Sequence, residues 1–137
     1  MFVRRFIRQQ SGFTLTELLV VIVIVGILAG LVIPRYRNVT TRAKATEAKL
    51  MLKEVYNLQK AYYLENDTWA STLPEIGFEQ ETLKTEGGGA RYKIQLAEVT
   101  EDGFKATATA VIDFDKDGAF NVWAIDQENN LVQVVPD

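Results

Sequence analysis

The chain contains no cysteine and no histidine among its 137 residues. The first absence excludes disulfides and thiolate metal sites, so the core or oxygen-ligated ions must supply the stability. The second removes the commonest general base and transition-metal ligand, and with them Ser-His, Cys-His and His-zinc chemistry. We therefore predict that this protein is not an enzyme.

Acidic residues are scarce in the first part of the chain and basic residues are scarce in the rest. Residues 1–60 carry ten Lys or Arg and three Asp or Glu, whereas residues 61–137 carry five and fifteen. Contacts to phosphates require clustered Lys and Arg, which the acidic part lacks. The sequence therefore predicts no direct nucleic-acid site there.

A long uncharged run lies near the amino terminus. No residue from Leu18 to Ile33 carries a charge. As a helix, Phe13 to Ile33 would span about 30 Å, the thickness of the hydrocarbon core of a bilayer. Glu17 lies one turn inside this helix, where a bare charge costs about 2.5 to 3.5 kcal/mol at mid-bilayer. The sequence predicts a membrane-spanning helix over 13–34 whose carboxylate needs a partner.

The segment before this run is short and basic, with Arg4, Arg5 and Arg8. It has no A-x-A site after the apolar run, so an ordinary secretory signal fits poorly. Positive charge before a membrane helix keeps that end in the cytoplasm and sends the remainder across the membrane. We expect a single-pass protein of the inner membrane with its carboxyl-terminal domain facing outward.

A basic leader that ends in Gly12 and is followed by Phe13, Thr14, Glu17 and an unbroken apolar helix closely resembles the amino-terminal signature of type IV prepilins. The resemblance implies that residues 1–12 are a leader that a membrane peptidase removes after Gly12. It implies that Phe13 begins the mature protein and is N-methylated. It also implies that Glu17 pairs with the amino terminus of a neighbouring subunit, which fits the strong attraction of opposite charges in an apolar medium.

By the same resemblance, the protein is a structural subunit that is surrounded by membrane lipid at first and later polymerises into an extracellular pilus. Its expected partners are other copies of itself, the prepilin peptidase and methyltransferase, an assembly platform in the inner membrane and an ATPase motor. Two alternatives stay open. The chain is a pseudopilin of a type II secretion or competence system, or it is a monomeric membrane-anchored binding domain that is not processed.

Three helix-weakening residues, Gly26, Gly30 and Pro34, follow one another at intervals of four. Glycine costs about 1 kcal/mol relative to alanine in a helix interior, and proline removes one hydrogen bond. We predict a bend or local unwinding here, as the resemblance also implies for assembled pili. A continuous helix with a mild kink is the alternative.

The rest of the chain predicts an α+β fold, and the resemblance implies that it is the pilin fold. Apolar residues recur every three or four positions over 35–66, which predicts an amphipathic helix: Ala45, Ala48, Leu52, Val55, Leu58 and Tyr62. A connecting loop is expected over 67–91, with a flexible break at Gly87 to Gly89. A small antiparallel sheet of about four strands is expected over 92–137, with one strand alternating strictly from Phe104 to Phe114.

The segment DFDKDG places Asp113, Asp115 and Asp117 two residues apart, with Gly118 next. This spacing resembles the opening of a calcium loop, although the twelfth position is Ala124 rather than the glutamate of an EF-hand. Two interpretations follow. One is a calcium turn closed by Asn121 or Asp126, and the other is a polar hairpin turn in which aspartate and glycine perform ordinary turn roles.

Overall fold

The structure is a computed structural model that describes residues 11–136, with the backbone alone for residues 33–38. The chain forms two compact units, Met1–Tyr36 and Arg37–Asp137. Most of the predicted leader, residues 1–10, lies outside the described residues.

A single helix, α1, runs from Leu15 to Asn66. In the amino-terminal unit, the stretch Leu15–Val32 is long and apolar enough to cross a membrane. The predicted end of the helix is confirmed. Asp67 adopts a left-handed conformation with φ of 55°, and its amide donates to the carbonyl of Tyr63 at 2.9 Å, a common way of ending a helix.

In the carboxyl-terminal unit, α1 covers one face of a four-stranded antiparallel sheet. The strands are β1 (Tyr92–Val99), β2 (Phe104–Ala110), β3 (Val122–Asp126) and β4 (Leu131–Val135), and their order in the sheet follows their order in the chain. The predicted α+β architecture with four strands is confirmed.

Alanines of β2 let the helix approach the sheet closely. Ala106 and Ala108 are fully buried and share one core with Leu52 and Val55 of α1. Because alanine side chains are small, they leave room for the larger side chains of the helix. The helix and the sheet therefore pack closely without leaving a cavity.

The predicted strand from Phe104 to Phe114 is too long, because β2 ends at Ala110. The carboxylate of Asp113 accepts the amides of Lys116 and Gly118, so the backbone turns here instead of continuing a ladder. Phe114 nevertheless packs against Tyr92, with ring centroids 5.8 Å apart.

The loop between α1 and β1 is anchored by aromatic and turn contacts. Trp69 is buried and stacks on Tyr63, with ring centroids 4.4 Å apart. The flexible break predicted at the three glycines is a hydrogen-bonded turn, in which the amide of Gly88 donates to the carbonyl of Leu83 at 2.9 Å. A Cβ on Gly88 would lie 1.9 Å from the carbonyl oxygen of Thr82, so this turn requires glycine.

Two buried polar side chains hold the sheet, loop and helix together. Gln59 accepts the amide of Ala70 at 3.0 Å and donates to its carbonyl at 2.9 Å. Asn121 accepts the hydroxyl of Tyr92 at 2.9 Å and donates to the carbonyl of Val135 at 3.2 Å. Asn121 therefore fastens the last strand in a chain that has no disulfide.

Replacing Gln59 with alanine should lower the free energy of unfolding by about 2 to 4 kcal/mol, because it leaves a buried N–H and a buried carbonyl without partners. Thermal unfolding of the full chain in detergent measures the effect. Asn57→Ala, at an exposed position of the same helix, is the control and should cost much less. Equal midpoints for the two variants would contradict the role of Gln59.

Candidate functional site

Glu17 is held by a reciprocal contact at the start of α1. The amide of Thr14 donates to Glu17 Oε2 at 2.9 Å, and the amide of Glu17 donates to Thr14 Oγ1 at 3.2 Å. This is a capping box, which satisfies two amides that a helix start leaves unpaired. The carboxylate therefore lies at the amino-terminal, positive end of the helix dipole.

The two predicted processing residues directly precede this capping box. Phe13 is 90% exposed, and a Cβ on Gly12 would meet nothing within 4 Å. An exposed backbone is what a peptidase needs to reach the bond between them. The cleavage and methylation of these residues stay predictions.

The apolar stretch of α1 from Leu15 to Val32 is uncovered. Every residue from Leu15 to Val32 is exposed, and the large apolar side chains among them are at least 49% exposed. A soluble monomer rarely exposes so large a continuous apolar surface. This surface requires lipid or other protein around it.

The backbone of the single chain is helical at Gly26, Gly30 and Pro34. A Cβ on either glycine would meet nothing within 4 Å, so no neighbour within the described chain requires glycine there. The loosening expected in the assembled state stays a prediction.

The three predicted calcium ligands do come together. Carboxylate oxygens of Asp113, Asp115 and Asp117 all lie within 4.8 Å of one another. Each of these side chains also accepts backbone amides of the loop, at distances from 2.6 to 3.1 Å. These hydrogen bonds are those of a polar turn.

The hydrogen bond from the amide of Gly118 is the main cause of a lowered pKa at Asp113, helped by the amide of Lys116. Asp113 thus stabilises the fold above its unfolded pKa, and the contribution is lost as the pH falls through the lower folded pKa. Both residues predicted to close a calcium site have other partners. Asn121 bonds Tyr92 and Val135, and Asp126 accepts the amides of Glu128 and Asn130.

Contacts between cations of α1 and aromatic rings were not predicted. Lys44 Nζ lies 4.6 Å from the ring centroid of Phe114, and Lys49 Nζ lies 4.4 Å from that of Trp123. The spacing of these lysines favours only a solvated face, because nothing in the sequence shows which rings the strands bring beneath them.

Comparison with known families supports the motif and the fold. The family described as "Prokaryotic N-terminal methylation motif" matches residues 7–33. The family described as "Type IV minor pilin ComP, DNA uptake sequence receptor" matches residues 34–119. The architecture, an uncovered apolar helix followed by a unit in which a helix packs on a sheet, is therefore that of a pilin-type structural subunit. The chain belongs to the type IV pilins, within the family of the minor pilin ComP.

Individual relatives agree with this assignment. The type IV major pilin protein PilA of Myxococcus xanthus (strain DK1622) is 38% identical over 100 residues, which are 73% of this chain and 43% of that protein. The type II secretion system core protein G of Pseudomonas aeruginosa is 48% identical over 65 residues, 47% of this chain and 46% of that protein. The chain thus matches less than half the length of these relatives.

The fold is similar to the crystal structure of the Neisseria meningitidis non-core minor pilin PilV. The TM-score is 0.52 at 14% identity, over 72% of this chain and 90% of that one. This similarity supports the fold alone.

Calcium binding by the aspartate loop stays a prediction, with a direct test. If calcium binds with the millimolar affinity of extracellular modules, a few millimolar should raise the unfolding midpoint of the full chain in detergent by several degrees, about 1 kcal/mol. Asp115→Asn should abolish the rise, and magnesium serves as the control ion. A midpoint that calcium leaves unchanged would support the polar turn.

Proposed function

We propose that this chain is a pilin subunit that is cleaved between Gly12 and Phe13 and polymerises through its apolar helix into an extracellular filament. The observation that carries the proposal is the uncovered apolar surface of Leu15–Val32, with one carboxylate at its start. Hydrocarbon tails of lipids can cover the apolar surface, but they offer the carboxylate no cation. A bundle of copies with free amino termini covers the surface and supplies the charge.

The proposal includes the steps that the prepilin motif implies. A peptidase removes the leader, a methyltransferase modifies Phe13, and an inner-membrane platform with an ATPase motor extracts the subunit. Before assembly the basic leader faces the cytoplasm and residues 37–137 face outward. Opposite charges attract strongly in an apolar surrounding, so the amino group of a new Phe13 is the partner we assign to Glu17 of its neighbour.

Two of the comparisons bear on alternative functions. Similarity to the secretion protein of Pseudomonas aeruginosa favours a pseudopilin, which would form a short filament by the same contacts. The description of the ComP family names a DNA uptake sequence receptor. Residues 61–137 are acidic and would repel a phosphate backbone, so we assign no DNA binding to that part of the chain. A monomeric anchored domain would leave the apolar surface in lipid permanently.

Glu17→Ala should leave cleavage of the leader intact and abolish or strongly reduce filaments, because the amino terminus of the incoming subunit loses its carboxylate. Electron microscopy of sheared cells counts the filaments, and the electrophoretic mobility of the membrane-bound subunit reports cleavage. Glu54→Ala, at an exposed position of the same helix, is the control and should assemble normally. Wild-type filament numbers from Glu17→Ala would contradict the proposal.

A further inference from the structure

A groove of about 570 Å³ opens between α1 and the last two strands of the sheet, β3 and β4. Its helix side is formed by Thr41, Arg42, Ala45, Thr46 and Lys49, and its sheet side by Asn121, Trp123, Gln133 and Pro136. All of these residues belong to the unit Arg37–Asp137. Two of them are cations and none is a carboxylate, although the carboxyl-terminal part of the chain is acidic.

The groove carries two cations and no carboxylate among the described residues that line it. Arg42 and Lys49 form no ion pair in the described part of the chain, where the one ion pair found joins Arg91 and Glu47. The ring of Trp123 lies beneath Lys49, with Nζ 4.4 Å from the ring centroid, and its indole N–H is itself buried. Two cations without an ion pair among the described residues favour an occupant that brings negatively charged oxygen atoms.

The turn between β1 and β2 of the same unit carries two exposed acidic residues, Glu101 and Asp102, and is called the knob below. The amide of Thr100 donates to the carbonyl of Gly103 at 2.8 Å, and this bond closes a turn that presents Glu101 and Asp102. A Cβ on Gly103 would lie 2.4 Å from the side chain of Gln127, so the turn packs tightly on its neighbour. Glu101 and Asp102 are exposed.

Unlike Asp113 and Asp126, whose carboxylates accept loop amides, Glu101 and Asp102 have no hydrogen bond or ion pair within residues 11–136. Their charges are thus available to a partner. The turn fixes the backbone that carries them, so little conformational entropy is lost when they are bound.

The groove and the knob lie at opposite ends of the unit. The groove faces residues 41–49 of α1, whereas Phe104, at the base of the knob, packs on Tyr56 with ring centroids 6.5 Å apart. Tyr56 follows Ala45 by eleven residues, about 16 Å along a helix. A knob at one end and a complementary groove at the other suit the head-to-tail repetition of copies that all point the same way, which generates open filaments.

We infer that the groove at Arg42, Lys49 and Trp123 receives the Glu101–Asp102 turn of a neighbouring copy of this chain. This contact rests on the proposed function, because it needs polymerisation. It adds to that function a polar, head-to-tail link between the carboxyl-terminal units, in addition to the bundled apolar helices. Charge complementarity of this kind sets register and partner choice more than affinity.

The absence of native cysteine makes a crosslinking test unambiguous. A chain carrying both Thr46→Cys and Asp102→Cys should give a ladder of disulfide-linked oligomers when sheared filaments are mildly oxidised, since bridged Cα atoms must approach within about 7 Å. Each single variant should form filaments but give no ladder of disulfide-linked oligomers. Thr46→Cys with Glu81→Cys, an exposed glutamate away from the turn, is the matched control and should give no ladder.

Charge reversal provides a second readout that does not depend on cysteine geometry. Glu101→Lys with Asp102→Lys should lower filament yield about tenfold, because like charges would meet in the groove. Adding Arg42→Glu to the same chain should restore much of the yield. These exposed positions lose no contact of the described chain, so the fold is retained.

Filaments that form normally but give no ladder would overturn this contact and leave the proposed function standing. Wild-type cells without any filament would overturn both. A groove that binds nucleic-acid phosphates instead would give no ladder, and Arg42→Glu would then weaken the retention of double-stranded DNA by the filaments. That result would also overturn the contact.

Discussion

A carboxylate in an apolar helix needs a partner of opposite charge, and the rest of this structure depends on which group pairs with Glu17. Within one chain it caps its own helix through Thr14. That contact satisfies hydrogen bonds but leaves the negative charge uncompensated, and the surface beside it is apolar for about five turns. In the proposed filament both needs are met together, because helices of several copies bundle and each contributes an amino terminus. The capping box holds the carboxylate at the end of the helix where that amino terminus would arrive.

The carboxyl-terminal unit is held together without a disulfide. Small alanines of β2 let α1 approach the sheet, and two buried polar side chains then join segments that are distant in the chain. Gln59 ties the loop to the helix, and Asn121 ties the last strand to Tyr92. A rigid unit of this kind can present a groove and a charged turn at fixed positions.

Periodicity predicted the features that depend on local pattern. The apolar run, the end of α1 at Asn66 and the four strands could all be predicted, because each has its own spacing or turn residues. The length of β2 could not, since alternation continues to Phe114 while the carboxylate of Asp113 turns the backbone. Gln59 lies on the apolar stripe, four residues after Val55, but its partner at Ala70 depends on the path of the loop. The groove at Trp123 likewise requires the sheet to bring distant residues together.

The central claim is that one bond, between Gly12 and Phe13, separates a membrane-bound precursor from a subunit that can assemble. In the proposed function, cleavage creates the free amino group that pairs with Glu17, so assembly and processing are linked by one charge pair. Mass spectrometry of the amino terminus of the protein from its native membrane or filaments tests this most directly. The account predicts a chain that begins at an N-methylated Phe13. A chain that retains Met1 and the whole leader would contradict it.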